Sequence, residues 1–228
     1  MRDKTSERRW LLVGLALLAA FLLWTVLIQC VDVRPAGQNG SNIGFATLNL
    51  WFHQLTGVHM GLYVITDWLG LVPVFVCLGF ACVGAAQLVT RRSLLKVDSD
   101  IMLLGAYYVV VFSFYLLFEA VPINYRPIPI DGAMEASYPS STTLLVLSVM
   151  PTLKFQIDRR SNSTLLKRVT GAIVFAFSAF MVAGRLVSGV HWATDIVGSV
   201  FLSFGLFALY HFAVARIDAS STARRPEE

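Results

Sequence analysis

Long apolar stretches alternate with short polar segments along this 228-residue chain, and their lengths predict membrane-spanning helices. An α-helix rises about 1.5 Å per residue, so about 20 residues cross the roughly 30 Å hydrocarbon core of a bilayer. Apolar stretches of about this length are Trp10–Val31, Leu62–Val89, Ile101–Val121, Ser140–Ile157, Val169–Val187 and Trp192–Ala213. Pro73 predicts a kink in the second of them. We therefore predict an all-α polytopic membrane protein with six transmembrane helices in one bundle.

A shorter helix is predicted outside these spans. The segment Phe45–Gly57 mixes aromatic residues with Asn49, His53 and Gln54, and it is too short and too polar to cross a bilayer. Such a segment is typical of a helix that lies in the membrane interface. The first apolar stretch is longer than the core of a signal peptide and lacks a following small-residue cleavage site, which predicts an uncleaved helix. No linker, repeat or low-complexity block divides the chain, so one domain over 1–228 is predicted.

Composition supports the membrane assignment. Hydrophobic residues make up 56% of the chain and charged residues 14%, whereas about a quarter of a soluble domain is charged. The cysteines Cys30, Cys77 and Cys82 end or lie within apolar stretches, with neither a disulfide framework nor metal-ligand spacing. The sequence therefore predicts no metal and no other cofactor.

The distribution of basic residues predicts the orientation. The net charge is +4, but lysine and arginine occur in short blocks between apolar stretches, which indicates membrane topology and no nucleic-acid partner. Fifteen of the eighteen lie in segments that six spans place on one side, so both termini, residues 1–9 and 214–228, are predicted to be cytoplasmic. The three exceptions are Arg34, Arg126 and Arg185. Arginine placed against the charge bias needs another explanation, and a bound anion supplies one.

The polar segment GRLVSGVHWATD, Gly184–Asp195, joins the predicted fifth and sixth spans and carries an arginine, a histidine and an aspartate. Such groups at a bilayer edge are each disfavoured by roughly a few kcal/mol, so their clustering indicates a functional site. His191 and Asp195 are four residues apart, a spacing that places them on one helix face. A carboxylate that accepts from one imidazole nitrogen leaves the other free as a nucleophile or base. The alternative is a purely structural pair.

Further residues point to phosphate. Arg185 and Arg126 present planar guanidinium forks that match phosphate oxygens. In YPSSTT, Ser140 or Ser141 is expected to cap the fourth span, whose N-terminal N–H groups favour an anion, although an ordinary cap is the alternative. Asp67 is either a residue at the start of the second span or a partner of the site.

In chain order, NYRP, YPSSTT and GRLVSGVHWATD resemble the signatures KxxxxxxRP, PSGH and SRxxxxxHxxxD of the type 2 phosphatidic acid phosphatase superfamily. The likeness covers Glu119–Asp195 by motif and the whole chain by its six-span architecture. It implies a membrane lipid phosphatase in which His191 forms a phosphohistidine, Asp195 orients it, and Arg126 and Arg185 hold the phosphate. It also implies that no metal is needed and that the site opens to the extracytoplasmic side.

The chain departs from these signatures at four positions. Glu119 stands where the family has lysine, Gly184 where it has serine, and Ser141 and Thr142 replace the glycine and histidine of the second signature. In the family that histidine protonates the leaving alkoxide, so without it a simple alcohol, whose pKa is about 16, should leave slowly. A leaving phosphate has a second pKa of about 6 and needs far less protonation, which favours a diphosphate lipid. Ser140, Ser141 and Thr142 remain candidates for phosphate binding.

Two carboxylates are candidates for the missing acid. Glu119 or Glu135 could take this role if burial raised its pKa, and either could equally be an ordinary loop or helix-end residue. The predicted substrate is a polyprenyl diphosphate, phosphatidic acid or phosphatidylglycerophosphate type of lipid. Alternatives are a phosphotransferase that uses the same intermediate and a catalytically silent relative that binds or moves phospholipid. A small transporter would predict inverted repeats and broken helices, which the sequence does not show.

Overall fold

The structure is a computed structural model that describes residues 4–223. This part of the chain is built from α-helices joined by short connections, which confirms the predicted all-α class. The helices are α1 Lys4–Cys30, α2 Ala46–Thr56, α3 Met60–Leu69, α4 Leu71–Arg91, α5 Ser99–Ala120, α6 Ser141–Arg160, α7 Thr164–Val187 and α8 Ala193–Ala223. Single 3-10 turns lie in two of the connections, at Gln38–Gly40 and Leu94–Lys96.

Within residues 4–223, five helical segments are long and apolar enough to cross a membrane. They are Glu7–Cys30, Met60–Arg91, Ser99–Ala120, Thr164–Val187 and Ala193–Ser220. Each corresponds to one of the six spans predicted from sequence, and together they make the chain a multi-pass membrane protein.

The remaining predicted span corresponds to α6, which has 20 residues but too many polar side chains to qualify as a span by composition. It packs against α4, α5, α7 and α8, and residues 142–150 are all buried. A helix enclosed by other helices needs no lipid-facing apolar stripe, so its polar residues find partners inside the protein. Tyr107 Oη, for example, donates to the carbonyl of Ser148 at 3.0 Å.

The second span is interrupted where α3 meets α4, at Gly70. Pro73 explains the interruption, because proline has no N–H to donate to the carbonyl four residues earlier and its ring clashes with that carbonyl. That carbonyl belongs to Leu69, the last residue of α3. The predicted kink is thus present, and it falls just before the proline.

Ion pairs join the helices at the end of the bundle where α6 finishes. Arg159 Nη1 lies 2.8 Å from Asp218 of α8, and Arg160 Nη2 lies 2.8 Å from Asp100 at the start of α5. Arg91, the last residue of α4, lies 2.7 Å from Asp98. The functional residues predicted from sequence lie at the opposite end, where α6 and α8 begin.

Candidate active site

Three connections meet at the end of the bundle where α6 and α8 begin. They are the α5–α6 connection over residues 121–140, the α7–α8 turn over 188–192, and the α2–α3 turn over 57–59. The α2–α3 turn binds the α7–α8 turn through His59 N–H, which donates to the carbonyl of Ser188 at 3.0 Å. The site is therefore held by backbone contacts between connections and does not depend on one helix alone.

The α5–α6 connection folds back on itself as a short antiparallel ribbon. Ser137 N–H donates to the carbonyl of Asn124 at 2.9 Å, and Arg126 N–H donates to that of Glu135 at 3.1 Å. Trp192 Nε1 donates to the carbonyl of Tyr125 at 2.8 Å, which fastens the ribbon to the start of α8. The ribbon thereby brings Asn124, Arg126 and Ser137 to the segment that carries His191.

The α7–α8 turn requires glycine at position 189. Gly189 has φ of 73°, and a Cβ there would lie 2.1 Å from the carbonyl oxygen of Gly57. Residues other than glycine rarely adopt this φ, and the close approach of the Gly57 carbonyl leaves no room for a side chain. Gly189 thus allows the turn to press against the α2–α3 connection two residues before His191.

Asp195 lies in the first turn of α8, whereas His191 precedes that helix. The carboxylate accepts hydrogen bonds from Trp192 N–H at 2.9 Å, from Asn124 Nδ2 at 3.4 Å and from Ser137 Oγ. His191 Nδ1 lies 3.9 Å from Asp195 Oδ2, which is too long for a hydrogen bond. The predicted pair therefore comes together, but the direct hydrogen bond between the two side chains is not formed.

His191 is buried, and its two ring nitrogens have different surroundings. Nδ1 lies 3.1 Å from the carbonyl oxygen of Ser137 and 3.2 Å from its Oγ. A carbonyl only accepts, so Nδ1 carries the proton and Nε2 has the lone pair. Nε2 is buried and has no hydrogen-bond partner in the described part of the chain. Burial, with added repulsion from Arg185 and Arg126, lowers the pKa of His191 well below its ordinary value.

Arg185 and Arg126 are both buried, with 1% and 6% of their surfaces exposed. Arg185 Nη2 lies 3.4 Å from Asp67 Oδ1, and Arg126 Nη2 lies 3.1 Å from Glu135 Oε2. Arg185 Nε and Nη1 and Arg126 Nη1 have no partner among the described residues. Leaving a charged donor buried and unpaired is unfavourable, so these groups are suited to an anion that accepts from both arginines.

Tyr63 of α3 lies against both arginines. Its ring centroid is 4.9 Å from Cζ of Arg185 and 5.7 Å from Cζ of Arg126. An aromatic face attracts a guanidinium, so Tyr63 helps to keep the two positive groups side by side. Asp67 lies one helical turn after Tyr63. Its contact with Arg185 favours the sequence alternative in which it is a partner of the site.

The second motif lies where α6 begins. Ser140 occupies the N-cap position, but its hydroxyl makes no cap hydrogen bond and the predicted side-chain cap is absent. Its Oγ is buried and unpaired among the described residues, and its N–H lies 3.4 Å from the carbonyl oxygen of Asp195. Ser141 is half-buried, and Thr142 is buried at Gly70, where an added Cβ would lie 3.2 Å from Thr142 Cγ2.

The two candidate acids are placed differently. Glu135 forms the ion pair with Arg126, which gives it a structural role. Glu119, near the end of α5, has an exposed side chain and lines a small pocket together with Ser141 and Tyr115. Within residues 4–223, no hydrogen bond joins Glu119 to His191 or to either arginine.

Close packing between α7 and α3 accounts for Gly184 in the third motif. A Cβ at Gly184 would lie 2.6 Å from Cγ2 of Thr66, which is fully buried in α3. This contact explains why this chain has glycine where the signature has serine, because a larger residue would separate α3 from α7.

Sequence reasoning missed Tyr63, Asn124 and Ser137. Tyr63 lies in an apolar helix, where an aromatic residue carries no functional signal. Asn124 is the first residue of NYRP and Ser137 directly precedes YPSSTT, but the ribbon that brings them to Asp195 has no recognisable pattern of strand residues.

Comparisons with known proteins agree with this architecture. The model of a family described as the PAP2 superfamily matches residues 101–218. A search of solved structures finds a transmembrane PAP2-type phosphatidylglycerolphosphate phosphatase from Bacillus subtilis, with a TM-score of 0.65 and 16% sequence identity. That match covers 90% of this chain and 96% of the Bacillus chain. A comparison with curated protein sequences finds no match.

Proposed function

Because the chain belongs to the PAP2 superfamily, we propose that it is a membrane lipid phosphatase that hydrolyses a phosphate or diphosphate headgroup through a phosphohistidine on His191. The observation that supports this proposal is that buried nitrogen atoms without hydrogen-bond partners lie near one another. The free Nε2 of His191 and the free N–H groups of Arg126 and Arg185 belong to side chains buried close to one another. A phosphate that accepts from both arginines would present its phosphorus to that nitrogen.

In the proposed first step, the Nε2 lone pair of His191 attacks the terminal phosphorus and its bond to the leaving oxygen breaks. This oxygen belongs to the lipid phosphate in a diphosphate and to the alcohol in a monoester. The leaving oxygen takes the electron pair of that bond, and the Nδ1 proton stays in place. Water then attacks the phosphorus atom and loses a proton to the solvent, the phosphorus–nitrogen bond breaks with its electron pair returning to Nε2, and inorganic phosphate leaves. Arg126 and Arg185 stabilise the charge that builds up on the phosphoryl oxygens in both steps. The protein supplies every group, and no metal takes part.

Substrate choice depends on how the leaving oxygen is stabilised. Thr142 cannot donate a proton as the family histidine does, and its burial at Gly70 supports this reading. A diphosphate lipid such as a polyprenyl diphosphate releases a phosphate that needs little protonation, so we propose this class ahead of a monoester. Glu119 is the proposed acid for a leaving alcohol. Phosphatidic acid and phosphatidylglycerophosphate are the monoester classes, and the Bacillus enzyme is named for the second.

The placement in the membrane is also a proposal. We place α6 as a membrane span, the fourth of six in chain order, and both termini in the cytoplasm, with the site at the extracytoplasmic side. The exposed residues Leu48, Trp51 and Leu55 of α2 support an interfacial position for that helix. A site at this depth would receive lipid headgroups from the outer leaflet.

Phosphate release by purified protein tests the activity. Polyprenyl diphosphate, phosphatidic acid and phosphatidylglycerophosphate are each offered to the wild type, to His191→Ala and to the control variant Ser203→Ala. Ser203 is buried in α8 and donates only to the carbonyl of Leu144. We expect the wild type and the control to release phosphate, fastest from the diphosphate, and His191→Ala to be inactive. Faster monoester turnover would contradict the substrate assignment.

The same assay separates the alternatives. A silent relative would release no phosphate from any lipid, and His191→Ala would behave as the wild type in cells. A phosphotransferase would pass labelled phosphate to an added alcohol in preference to water. Trapping a labelled, acid-labile phosphoramidate that is absent from His191→Ala would identify the intermediate.

A further inference from the structure

The gap between His191 and Asp195 is filled by one side chain. The 3.9 Å separation of Nδ1 and Oδ2 leaves the imidazole without a direct carboxylate partner. Asp195 already accepts from Trp192 N–H at the start of α8, an arrangement that caps this helix. This contact holds the carboxylate at the helix end, so another group must connect it to the ring.

Ser137 makes that connection with both its hydroxyl and its carbonyl. Its Oγ–H donates to Asp195 Oδ2, and the same oxygen lies 3.2 Å from His191 Nδ1. Since the hydroxyl proton points to the carboxylate, the oxygen is left to accept from Nδ1–H. The Ser137 carbonyl, 3.1 Å from Nδ1, shares that proton. All three residues are buried, with 3% exposure for His191, 1% for Ser137 and 0% for Asp195.

We propose that Ser137 is a positioning residue that relays the charge of Asp195 to His191. It fixes the Nδ1–H tautomer, directs Nε2 toward the two arginines, and links the negative charge of Asp195 to the ring. When Nε2 bonds to phosphorus the ring becomes positive, and Nδ1–H then strengthens its bond to Ser137 Oγ. Oγ–H in turn strengthens its bond to the carboxylate. No proton leaves Nδ1, so the charge is stabilised by two charge-assisted hydrogen bonds in series.

The ribbon determines where Ser137 stands. Ser137 N–H donates to the carbonyl of Asn124, and Asn124 Nδ2 donates to Asp195 Oδ1 at 3.4 Å. The two strands of the α5–α6 ribbon therefore carry different groups of the site. One strand carries Arg126, which is proposed to bind the phosphate, and the other carries Ser137, which contacts His191.

This inference rests on the proposed phosphohistidine reaction, and its first readout does not need that reaction. Protein labelled with ¹⁵N-histidine is studied by NMR in detergent, with His191→Asn to assign the His191 signals. We expect the wild type to show the Nδ1–H tautomer with a strongly hydrogen-bonded Nδ1 proton. Ser137→Ala should shift this proton resonance upfield, and the buried control Ser203→Ala should not. A wild-type Nε2–H tautomer, or no shift in Ser137→Ala, would overturn the relay.

The second readout is kinetic. We expect Ser137→Ala to lower kcat by roughly 10- to 100-fold, the range for losing a group that orients a reactive histidine, with little change in KM. Because the relay acts as one unit, adding Ser137→Ala to Asp195→Asn should cause no further loss of kcat. Multiplicative losses in the double variant would overturn the proposal. If no lipid is hydrolysed by the wild type, the proposed function fails, and the wild-type NMR spectrum still decides the role of Ser137.

Discussion

At the scale of single residues, the surroundings of His191 determine its protonation. Burial is the main cause that lowers its pKa, and the two neighbouring guanidinium groups add repulsion against a second ring proton. A nucleophilic imidazole must be neutral, and the lowered pKa keeps it neutral as the pH falls below about 6.5, the ordinary value for histidine. Activity that depends on Nε2 should therefore persist into mildly acidic solution.

We expect the acidic limb of the pH profile of kcat/KM to lie below about pH 6.5, which is the ordinary pKa of histidine. The substrate phosphate also titrates at about pH 6, so the pH profile of kcat/KM does not separate its titration from that of His191. The decisive measurement is the ¹⁵N signal of His191 in the free protein over the same pH range. An imidazolium signal at about pH 6.5, the ordinary pKa of histidine, would show that the pKa of His191 is not lowered.

Arg185 should not tolerate lysine. Lysine keeps the positive charge but loses the planar fork that reaches two oxygens and the contact with Tyr63. We expect Arg185→Lys to lower kcat/KM by about 100-fold, the scale for removing a donor that stabilises transition-state charge. Arg34→Lys is the matched control, because Arg34 is exposed and pairs with Asp32 outside the site. Equal activity of both variants would argue against the phosphate role.

Residue identity was predictable where chemistry and spacing coincide. Arg126 and Arg185 lie against the charge bias, and His191 and Asp195 follow a fixed spacing, so the sequence could mark them as candidates before the fold was known. Ser137 could not be identified in this way. Its role depends on a ribbon that turns the chain by tertiary contacts, and a serine in a proline-rich connection is ordinary.

Among the elements of the site, the α7–α8 turn is tightly constrained at its backbone. Gly189→Ala would introduce a side chain at φ of 73° and 2.1 Å from the Gly57 carbonyl oxygen. We expect a loss of stability of at least about 1–2 kcal/mol, together with lower activity, because His191 would move with the turn. Thermal unfolding in detergent and phosphate release measure the two effects.

Gly79→Ala is the control for that variant. An added Cβ at Gly79, inside α4, meets no atom within 4 Å. Alanine favours helix over glycine by up to about 1 kcal/mol, so Gly79→Ala should leave stability equal or slightly higher and activity unchanged. A Gly189→Ala protein as stable as Gly79→Ala would show that the turn can relax without loss.

Helix α2 shows why the polar residues of a short helix are hard to interpret from sequence. Asn49 is one of the polar residues that indicate an interfacial helix, yet it is 1% exposed. Its Nδ2 donates to the Gly44 carbonyl at 2.9 Å and to Thr194 Oγ1 at 3.0 Å, beside Asp195. One side of α2 therefore supports the start of α8, while the exposed apolar residues occupy the other side. Hydropathy alone cannot show which residues of α2 contact α8 and which lie on its exposed side.

At the scale of the whole molecule, the bundle has two different ends. At the end where α6 finishes, Arg159 and Arg160 form ion pairs with aspartates of neighbouring helices. At the end where α6 begins, Arg126 and Arg185 keep N–H groups that have no partner within residues 4–223. Five of the six predicted spans are long and apolar enough to cross a membrane in the structure. The fourth predicted span, α6, is enclosed by other helices along residues 142–150. Its polar residues therefore have partners inside the protein, such as Thr152, whose Oγ1 lies 2.7 Å from Tyr108 Oη.

The charge distribution makes a prediction about the orientation of the molecule. Lysine and arginine are concentrated in the segments predicted to be cytoplasmic, and the positive-inside rule places the α5–α6 ribbon outside and the α6–α7 connection inside. Cys30, Cys77 and Cys82 are first replaced by alanine, and Ala133→Cys or Asn162→Cys is then introduced at an exposed position of each connection. A membrane-impermeant maleimide should label Ala133→Cys in intact cells and Asn162→Cys only after permeabilisation. The reverse pattern would place the site on the cytoplasmic side and exclude substrates presented by the outer leaflet.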